Sequence, residues 1–250
     1  GVPVQVTKQY AMVPNQNFLV VKYTFQNLTN SARTFNFLEQ AHLNNKTSGN
    51  QSPNWQHGWW DVSRNALGTD MSQSGQFYIE LGAFQTMDSH QVGNDANSNP
   101  ADVNSAPWYQ FDSAGTLKNN NDIWSQNLDL GFQKSISLAA NGSASVALYY
   151  AIGSTQAAAE SAADTARAQT AAYWFTQTAT SYTNWLNAGK RISLSDTGLN
   201  TAFDRSLVIN KQSQQPAFGS WPAATNPAYA YKVWVRDSAV TAMGMDATGH

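Results

Sequence analysis

The segment Ser143-Ala-Ser-Val-Ala-Leu-Tyr-Tyr-Ala-Ile152 is followed, after two residues, by Thr155-Gln-Ala-Ala-Ala-Glu-Ser-Ala-Ala-Asp-Thr-Ala-Arg-Ala-Gln-Thr-Ala-Ala172. The first segment has the period of a β-strand, with four side chains on one face: Val146, Leu148, Tyr150 and Ile152. The second segment is rich in alanine, which loses no side-chain entropy in a helix. The chain therefore changes from strand to helix near Ser154. This change predicts a β+α protein in which a sheet region precedes a helical region.

Residues 1–153 are predicted to form an antiparallel β-sandwich domain. Leu19-Val-Val-Lys-Tyr-Thr-Phe25 repeats the alternation, and Asn27-Leu-Thr-Asn30 supplies turn residues after it. Shorter strand candidates lie at 76–81 and 132–138. Short strands separated by Asn, Gly and Ser turns are typical of antiparallel sandwiches.

Two long polar stretches, 43–75 and 88–127, interrupt this pattern and carry five tryptophans. Segments of this length predict loops that are either functional or packed over a sheet edge. Their rings are either platforms on which sugars stack or anchors that pin the loops to the sandwich, and the sequence leaves both alternatives open. These residues are Trp55, Trp59, Trp60, Trp108 and Trp124.

Charged residues make up only 12% of the chain, and its formal net charge is −2. No basic field is present to hold phosphates, so we expect no nucleic-acid partner. No apolar run reaches the ~20 residues of a membrane-spanning helix, so we expect no membrane partner. Low charge combined with four Asn-x-Ser/Thr sequons favours a secreted, extracellular protein. The sequons begin at Asn27, Asn45, Asn50 and Asn141.

The second part of the chain is predicted to be helical, with residues 154–194 as a linker and residues 195–250 as the start of an all-α domain. The Ala-rich helix is expected to continue through Tyr173 and Trp174. A second helical stretch is expected to follow and to end at Gly189-Lys-Arg191. Ser195-Asp-Thr-Gly198 predicts the N-terminal cap of a third helix. That helix is expected to turn four apolar side chains towards a core: Leu199, Phe203, Leu207 and Ile209.

No metal site is predicted. Asp95-Ala-Asn-Ser-Asn99 has the alternating oxygens of a calcium loop, but Pro100 stands where that loop needs glycine and Ala106 where it needs glutamate. We expect a solvated turn there. The histidines lack the spacing of metal ligands. They are His42, His57, His90 and His250.

A planar ring, a forked cation and a carboxylate meet in Tyr231-Lys-Val-Trp-Val-Arg-Asp-Ser-Ala239. The ring of Trp234 is suited to cover the apolar face of a sugar, while Arg236 and Asp237 are suited to hydrogen-bond its hydroxyls. The plainer alternative is that Asp237 caps a final helix that begins at Ser238 and pairs with Arg236 at the surface.

The order of sandwich, linker and helices resembles the glucoamylase and glucodextranase family of glycoside hydrolases. Trp185-Leu186 followed by 199–207 is similar to the family's linker and first toroid helix. Segment 218–224, Phe-Gly-Ser-Trp-Pro-Ala-Ala, resembles its Gly-Ser/Ala-x-Pro/Ala-Ala loop, and 231–239 resembles its aromatic-x-Trp-x-Arg-Asp segment. The resemblance implies an antiparallel β-supersandwich, a helical linker and the first helices of a catalytic α/α toroid. It also implies that the chain is a partial portion of such an enzyme.

Carried over through these motifs, Arg236 and Asp237 would hold hydroxyls of the terminal glucose, with Trp234 as a pocket wall and Tyr231 beside it. The implied activity is exo-acting, inverting hydrolysis that releases glucose from the non-reducing ends of α-glucans, without a cofactor. The family's general acid and base are glutamates further along the chain. The resemblance therefore implies no catalytic residue among these 250 and no turnover by them alone. The implied partners are an α-glucan or α-glucoside oligosaccharide and the remainder of the catalytic domain.

Two alternatives stay open. A disaccharide phosphorylase of the same architecture would carry a phosphate site in place of the base and would release glucose 1-phosphate instead of glucose. A non-catalytic carbohydrate-binding or structural β-sandwich protein would release neither.

Overall fold

The computed structural model describes residues 3–43, 55–70, 77–215, 218–222 and 232–250. The chain divides into two compact units, Gly1–Thr176 and Gln177–His250. Within the described residues the strands are β1 (Val4–Ala11), β2 (Phe18–Asn27), β3 (Arg33–Leu43), β4 (Gln56–Asp61), β5 (Ala66–Asp70), β6 (Tyr78–Ala83), β7 (Ser89–Asn94), β8 (Asp122–Ser125), β9 (Leu128–Leu138) and β10 (Ser143–Gly153). The helices there are α1 (Pro107–Ala114), α2 (Gln156–Arg167), α3 (Ala171–Ala188), α4 (Thr197–Ser213) and α5 (Val235–Ala247).

The described strands of the first unit form two antiparallel sheets. The larger sheet has the order β1-β2-β10-β6-β5-β4-β8, and the smaller has the order β3-β9-β7. Their facing sides share one apolar core, to which the larger sheet contributes Phe25, Leu81 and Leu148 and the smaller Leu130 and Phe132. The predicted β+α class with antiparallel sheets is thus confirmed.

The larger sheet is covered on its other face as well. Helix α2 packs there, with Ala162 and Ala163 against Val20 and Tyr149. Alanine side chains let a helix approach a sheet closely, and the burial of apolar surface stabilises the contact by roughly 25 cal/mol per Å². Strand β10 is therefore buried on both faces, because Leu148 points into the sandwich and Tyr149 lies under the helix.

Helix α2 ends at Arg167 and α3 begins at Ala171, so the expectation that the Ala-rich helix continues through Tyr173 and Trp174 is wrong. The indole Nε1 of Trp174 donates a hydrogen bond to the carbonyl oxygen of Ala166 at 2.7 Å, which satisfies a group left unpaired at a helix end. The hydroxyl of Thr170 accepts from the backbone N–H of Tyr173 at 3.2 Å. These hydrogen bonds stabilise the break between α2 and α3, which the alanine content of the sequence does not predict. Helix α3 stops immediately before Gly189, as predicted.

The polar stretches 43–75 and 88–127 are not plain loops, because their described parts contain β4, β5, β7, α1 and β8. The expectation fails because several buried positions of these strands are polar or glycine, so no regular apolar alternation marks the strands. Gln56 is fully buried. Gly58 leaves room for Leu128, whose Cδ1 would lie 2.7 Å from an added Cβ.

The second unit has its own small core. Leu207, Trp221 and Met245 are buried in it, and Trp185 and Phe203 pack against them. These residues come from α3, α4, α5 and the segment before α5. The faces of α3, α4 and α5 that carry these residues therefore pack against one another within this unit.

Helix α4 begins as predicted, but its apolar face is only partly buried. Asp196 Oδ1 accepts hydrogen bonds from two backbone N–H groups of the first turn, at 2.8 and 3.3 Å. Leu207 and Phe203 meet the core, whereas Leu199 and Ile209 are 54% and 60% exposed. Residue 209 lies about 200° around the helix from residue 207, because successive residues turn by about 100°. Residue 199 lies in the first turn, beyond the reach of the core.

Membrane spanning and domain boundaries are two further points on which the sequence makes predictions. None of the helices in the described parts of the chain is both long and apolar enough to span a bilayer. The domain boundaries after residues 153 and 194, and the assignment of α4 and α5 to a toroid, stay predictions.

The contact between β6 and β10 generates a stability prediction. A Cβ at Gly82 would lie 2.0 Å from Cζ of Tyr149 and 2.1 Å from its hydroxyl oxygen. We expect Gly82→Ala to lower the free energy of unfolding of the first unit by about 1–3 kcal/mol, because the buried ring has no room to move. Chemical denaturation followed by circular dichroism measures this change.

Gly244→Ala is the matched control, since Gly244 lies inside α5 with nothing within 4 Å of an added Cβ. It should raise the stability of the second unit by up to about 1 kcal/mol. Equal effects of the two substitutions would contradict the packing of Tyr149 against Gly82.

Candidate functional site

The segment with the predicted ligand-binding residues forms the beginning of α5. Trp234 occupies the N-cap position with an extended backbone, at φ −100° and ψ 119°. The first helical hydrogen bond runs from the N–H of Ser238 to the carbonyl oxygen of Trp234 at 2.9 Å. The helix therefore begins at Val235, three residues before the expected start.

Asp237 lies inside the first turn of α5 and is not its N-cap, so the capping alternative is wrong in that form. The cap position belongs to Trp234, whose indole offers no acceptor to the first N–H groups. A carboxylate in the first turn still interacts favourably with the helix dipole, by about 0.3–1 kcal/mol. Asp237 therefore has a possible structural role, the stabilisation of the first turn of α5. An experiment on sugar binding has to distinguish a binding role from this structural role.

Arg236 and Asp237 are close together and open to solvent. Arg236 Nε lies 3.3 Å from Asp237 Oδ1, and the two side chains are 84% and 43% exposed. An ion pair this exposed contributes little to stability, about 0–1 kcal/mol. The guanidinium and carboxylate can therefore exchange this contact for hydrogen bonds to a ligand at small cost.

The structure brings a second motif next to these residues. The backbone N–H of Trp221, in the segment 218–222, donates to the hydroxyl of Ser238 at 3.2 Å. The indole Nε1 of Trp221 donates to the carbonyl oxygen of Asn210 at 2.7 Å. Two of the three segments that carry the family resemblance thus meet at the start of α5. Tyr231, the fourth predicted site residue, lies outside the described residues.

A buried carboxylate on the smaller sheet forms a second polar site, which sequence reasoning missed. Asp129 is fully buried, and its Oδ1 lies 2.6 Å from Nδ1 of His42. Its Oδ2 accepts from Nε2 of Gln40 at 2.8 Å. Burial raises the pKa of Asp129 to about 6, although the contact with His42 lowers it. Trp108 Nε1 donates to Asp95 at 3.2 Å at the edge of this group.

His42, Asp95 and Asp129 each place one metal-binding atom within 4.8 Å of the others. Spacing along the chain could not reveal the group, because β3 and β9 pair His42 with a residue 87 positions away. The turn predicted from residue 95 onwards is present at Asp95.

A third polar site lies between the larger sheet and α2. Asp61, Glu80 and Glu160 also place one carboxylate oxygen each within 4.8 Å of the others. Burial and, to a smaller degree, the neighbouring charge of Asp61 raise the pKa of Glu80 to about 7. The group joins two strands and a helix that are distant in sequence, so no sequence motif predicts it.

The tryptophans of the polar stretches have different surroundings. Trp60 stacks on His90, with ring centroids 3.9 Å apart, and also contacts the core. This ring anchors its strand, as the second alternative held. Trp124 is 54% exposed and stacks on His57 at 4.6 Å. One ring therefore belongs to the interior and the other to an edge strand at the surface.

Comparison with known proteins gives matches in structure but not in sequence. No family model and no curated protein sequence matches the chain. Among solved structures, the chain is similar to a bacterial glucoamylase complexed with acarbose, with a TM-score of 0.69 and 15% identity over 99% of this chain. It is also similar to a putative kojibiose phosphorylase from human microbiome, with a TM-score of 0.51 and 9% identity over 84% of this chain.

A family GH92 α-mannosidase from Bacteroides thetaiotaomicron matches 83% of the chain at 10% identity, but its TM-score of 0.47 is too low to carry an argument. The chain spans 36% of the glucoamylase and 25% of the phosphorylase. At these identities the likeness concerns the fold and not the activity. The fold of this chain is similar to that of the matching part of the bacterial glucoamylase, in agreement with the resemblance inferred from its motifs.

Proposed function

We propose that this chain is part of an exo-acting, inverting α-glucoside hydrolase of the glucoamylase and glucodextranase type. The observation that carries the proposal is the start of α5, where Trp234, Arg236 and Asp237 are presented together beside the segment 218–222. The fold likeness to a bacterial glucoamylase over 99% of the chain supports it. In this proposal the substrate is an α-glucan or α-glucoside oligosaccharide.

The proposed role of the segment is to hold the terminal glucose. The guanidinium of Arg236 donates to sugar hydroxyls, and the carboxylate of Asp237 accepts from them. The indole of Trp234 covers an apolar face of the ring. Their exposed positions leave these groups accessible to a ligand.

The bond-breaking groups are proposed to lie outside this chain. Inverting hydrolysis needs an acid that protonates the leaving oxygen and a base that activates water, with the two carboxyls about 6.5–9.5 Å apart. The carboxylates of Asp95 and Asp129 do not fit this role, because their oxygens lie within 4.8 Å of each other and Asp129 is shielded from solvent. The 250 residues alone are then expected to show no turnover.

Exposed apolar surface on the second unit supports the proposal that further toroid helices pack there. Five apolar side chains of this unit are between 60% and 83% exposed: Ile209, Phe218, Val235, Val240 and Met243. So much exposed apolar surface is typical of a face that another element covers. In this proposal α4 and α5 begin the toroid, and the remainder of the catalytic domain is the partner.

Secretion is also proposed, on the basis of low charge and the sequon at Asn141. Asn141 is exposed at the turn before β10. Asn27 is not available for glycosylation, because it is 1% exposed and its amide donates to the carbonyl oxygens of Ser31 and Ala139. Asn45 and Asn50 lie outside the described residues.

The phosphorylase alternative rests on a weaker fold likeness, with a TM-score of 0.51 against 0.69 for the glucoamylase. The reaction product distinguishes a phosphorylase from a hydrolase. We expect the intact protein to release glucose from maltooligosaccharides, with the β-anomer formed first, because inversion converts an α-linkage into a β-product. Proton NMR during the first minutes of reaction measures the anomer. Glucose 1-phosphate formation that depends on inorganic phosphate would favour the phosphorylase and contradict hydrolysis.

Substitution of Asp237 tests the sugar-binding role. In the intact enzyme we expect Asp237→Asn to lower kcat/KM by roughly 30- to 1000-fold, or about 2–4 kcal/mol, because a charge-assisted bond to the sugar is lost. A role limited to the helix dipole predicts a loss of only about 0.3–1 kcal/mol of stability, with normal kinetics. Steady-state kinetics and thermal unfolding of the same preparation separate the two roles.

Asp246→Asn is the matched control, since Asp246 is an exposed aspartate at the other end of α5. It should leave kcat/KM unchanged. Full activity of Asp237→Asn would show that the motif is structural.

A further inference from the structure

Glu80 is a carboxylate buried inside the first unit. It lies in β6, on the face of the larger sheet that α2 covers, and is 1% exposed. Neither of its carboxylate oxygens has a hydrogen-bond partner among the described residues. Carboxylates are almost never buried in this way without a donor or a cation.

Two further carboxylates point to the same place. One oxygen each of Asp61, at the end of β4, and of Glu160, in α2, lies within 4.8 Å of the oxygen of Glu80 and of each other. The side chains of Asp61 and Glu160 are 13% and 26% exposed. Three carboxylates from three elements therefore converge at a site that is mostly shielded from water.

The neighbouring guanidinium does not neutralise this site. Arg64 Nη1 lies 2.7 Å from Asp61 Oδ2 and 3.5 Å from Glu160 Oε2, while its Nε lies 2.9 Å from Asp164 Oδ1. It makes no hydrogen bond to Glu80. The four carboxylates and this guanidinium sum to a charge of −3 when all are ionised, so the group is deficient in positive charge.

We propose that Asp61, Glu80 and Glu160 bind a divalent cation, with Ca²⁺ as the preferred ion. Calcium takes oxygen ligands at 2.3–2.6 Å, so two of its ligands lie up to about 5 Å apart, which the spacing of these oxygens satisfies. Magnesium prefers shorter bonds of 2.0–2.1 Å and regular octahedral geometry. The ion gives Glu80 the partner that it lacks and links β4, β6 and α2.

The other group with metal-binding atoms is the weaker candidate. Both oxygens of Asp129 already have partners, His42 and Gln40. That group needs no ion to satisfy its buried carboxylate, whereas Glu80 does. The proposed cation site does not involve Trp234, Arg236 or Asp237, so it stands independently of the proposed sugar-binding role.

Calcium binding to the chelator-treated protein tests the proposal. Isothermal titration with CaCl₂ should give one site per chain with a dissociation constant between about 10⁻⁷ and 10⁻³ M, and calcium should raise the unfolding temperature. Glu80→Gln should weaken the affinity at least about tenfold and remove the thermal shift, because it takes away one charged ligand. Asp95→Asn, which removes one carboxylate from the other group, should change neither result.

Glu160→Gln is the second variant if Glu80→Gln does not fold, because Glu160 is partly exposed on a helix and its replacement leaves the sheet intact. It should also weaken calcium binding at least about tenfold. The proposal is overturned if the protein binds no calcium at millimolar concentration, which would mean that Glu80 is held in its protonated form. It is equally overturned if both glutamine variants bind calcium as the wild type does, or if binding is lost in Asp95→Asn.

Discussion

The burial of both faces of β10 is the constraint on which the first unit depends. Leu148 points into the core between the two sheets, and Tyr149 and Ala151, on the opposite face, lie against α2 and its neighbours. All three side chains are fully buried. The Tyr149 hydroxyl donates to the carbonyl oxygen of Arg64 at 3.1 Å, so the ring also holds the turn between β4 and β5. Because both faces of β10 are apolar, the strand needs the smaller sheet to cover one face and α2 to cover the other.

The position of α2 has an electrostatic consequence. The helix that covers Tyr149 also carries Glu160 and Asp164 towards Arg64 and closes Glu80 off from solvent. The same packing that stabilises the apolar part of the interface therefore concentrates carboxylates beside it. A cation at this site would compensate the charge and strengthen the contact between sheet and helix.

The sequence predicts most of the features that depend on local pattern. The alternation in β2 and β10, the Asp196 cap of α4 and the stop of α3 before Gly189 could all be predicted, because neighbouring residues determine them. Strands β4 and β5 could not, because buried polar residues and glycines hide their period. The prediction that Ile209 faces the core is wrong, because helical geometry places Ile209 on the opposite side of α4 from Leu207.

The candidate sites also divide into those that local sequence predicts and those that it does not. Trp234, Arg236 and Asp237 could be named because they are adjacent in sequence, although the true start of α5 was three residues earlier. The groups around Glu80 and Asp129 could not be named, because strand pairing and helix packing bring their members together from distant positions.

A crystal structure of the intact protein with acarbose tests the central claim most directly, since the similar bacterial glucoamylase was solved with this ligand. The proposed function predicts that Arg236 and Asp237 each lie within about 3.2 Å of hydroxyl oxygens on the terminal sugar ring, which is hydrogen-bond distance. Acarbose bound with neither residue in contact would contradict the sugar-binding role of the segment.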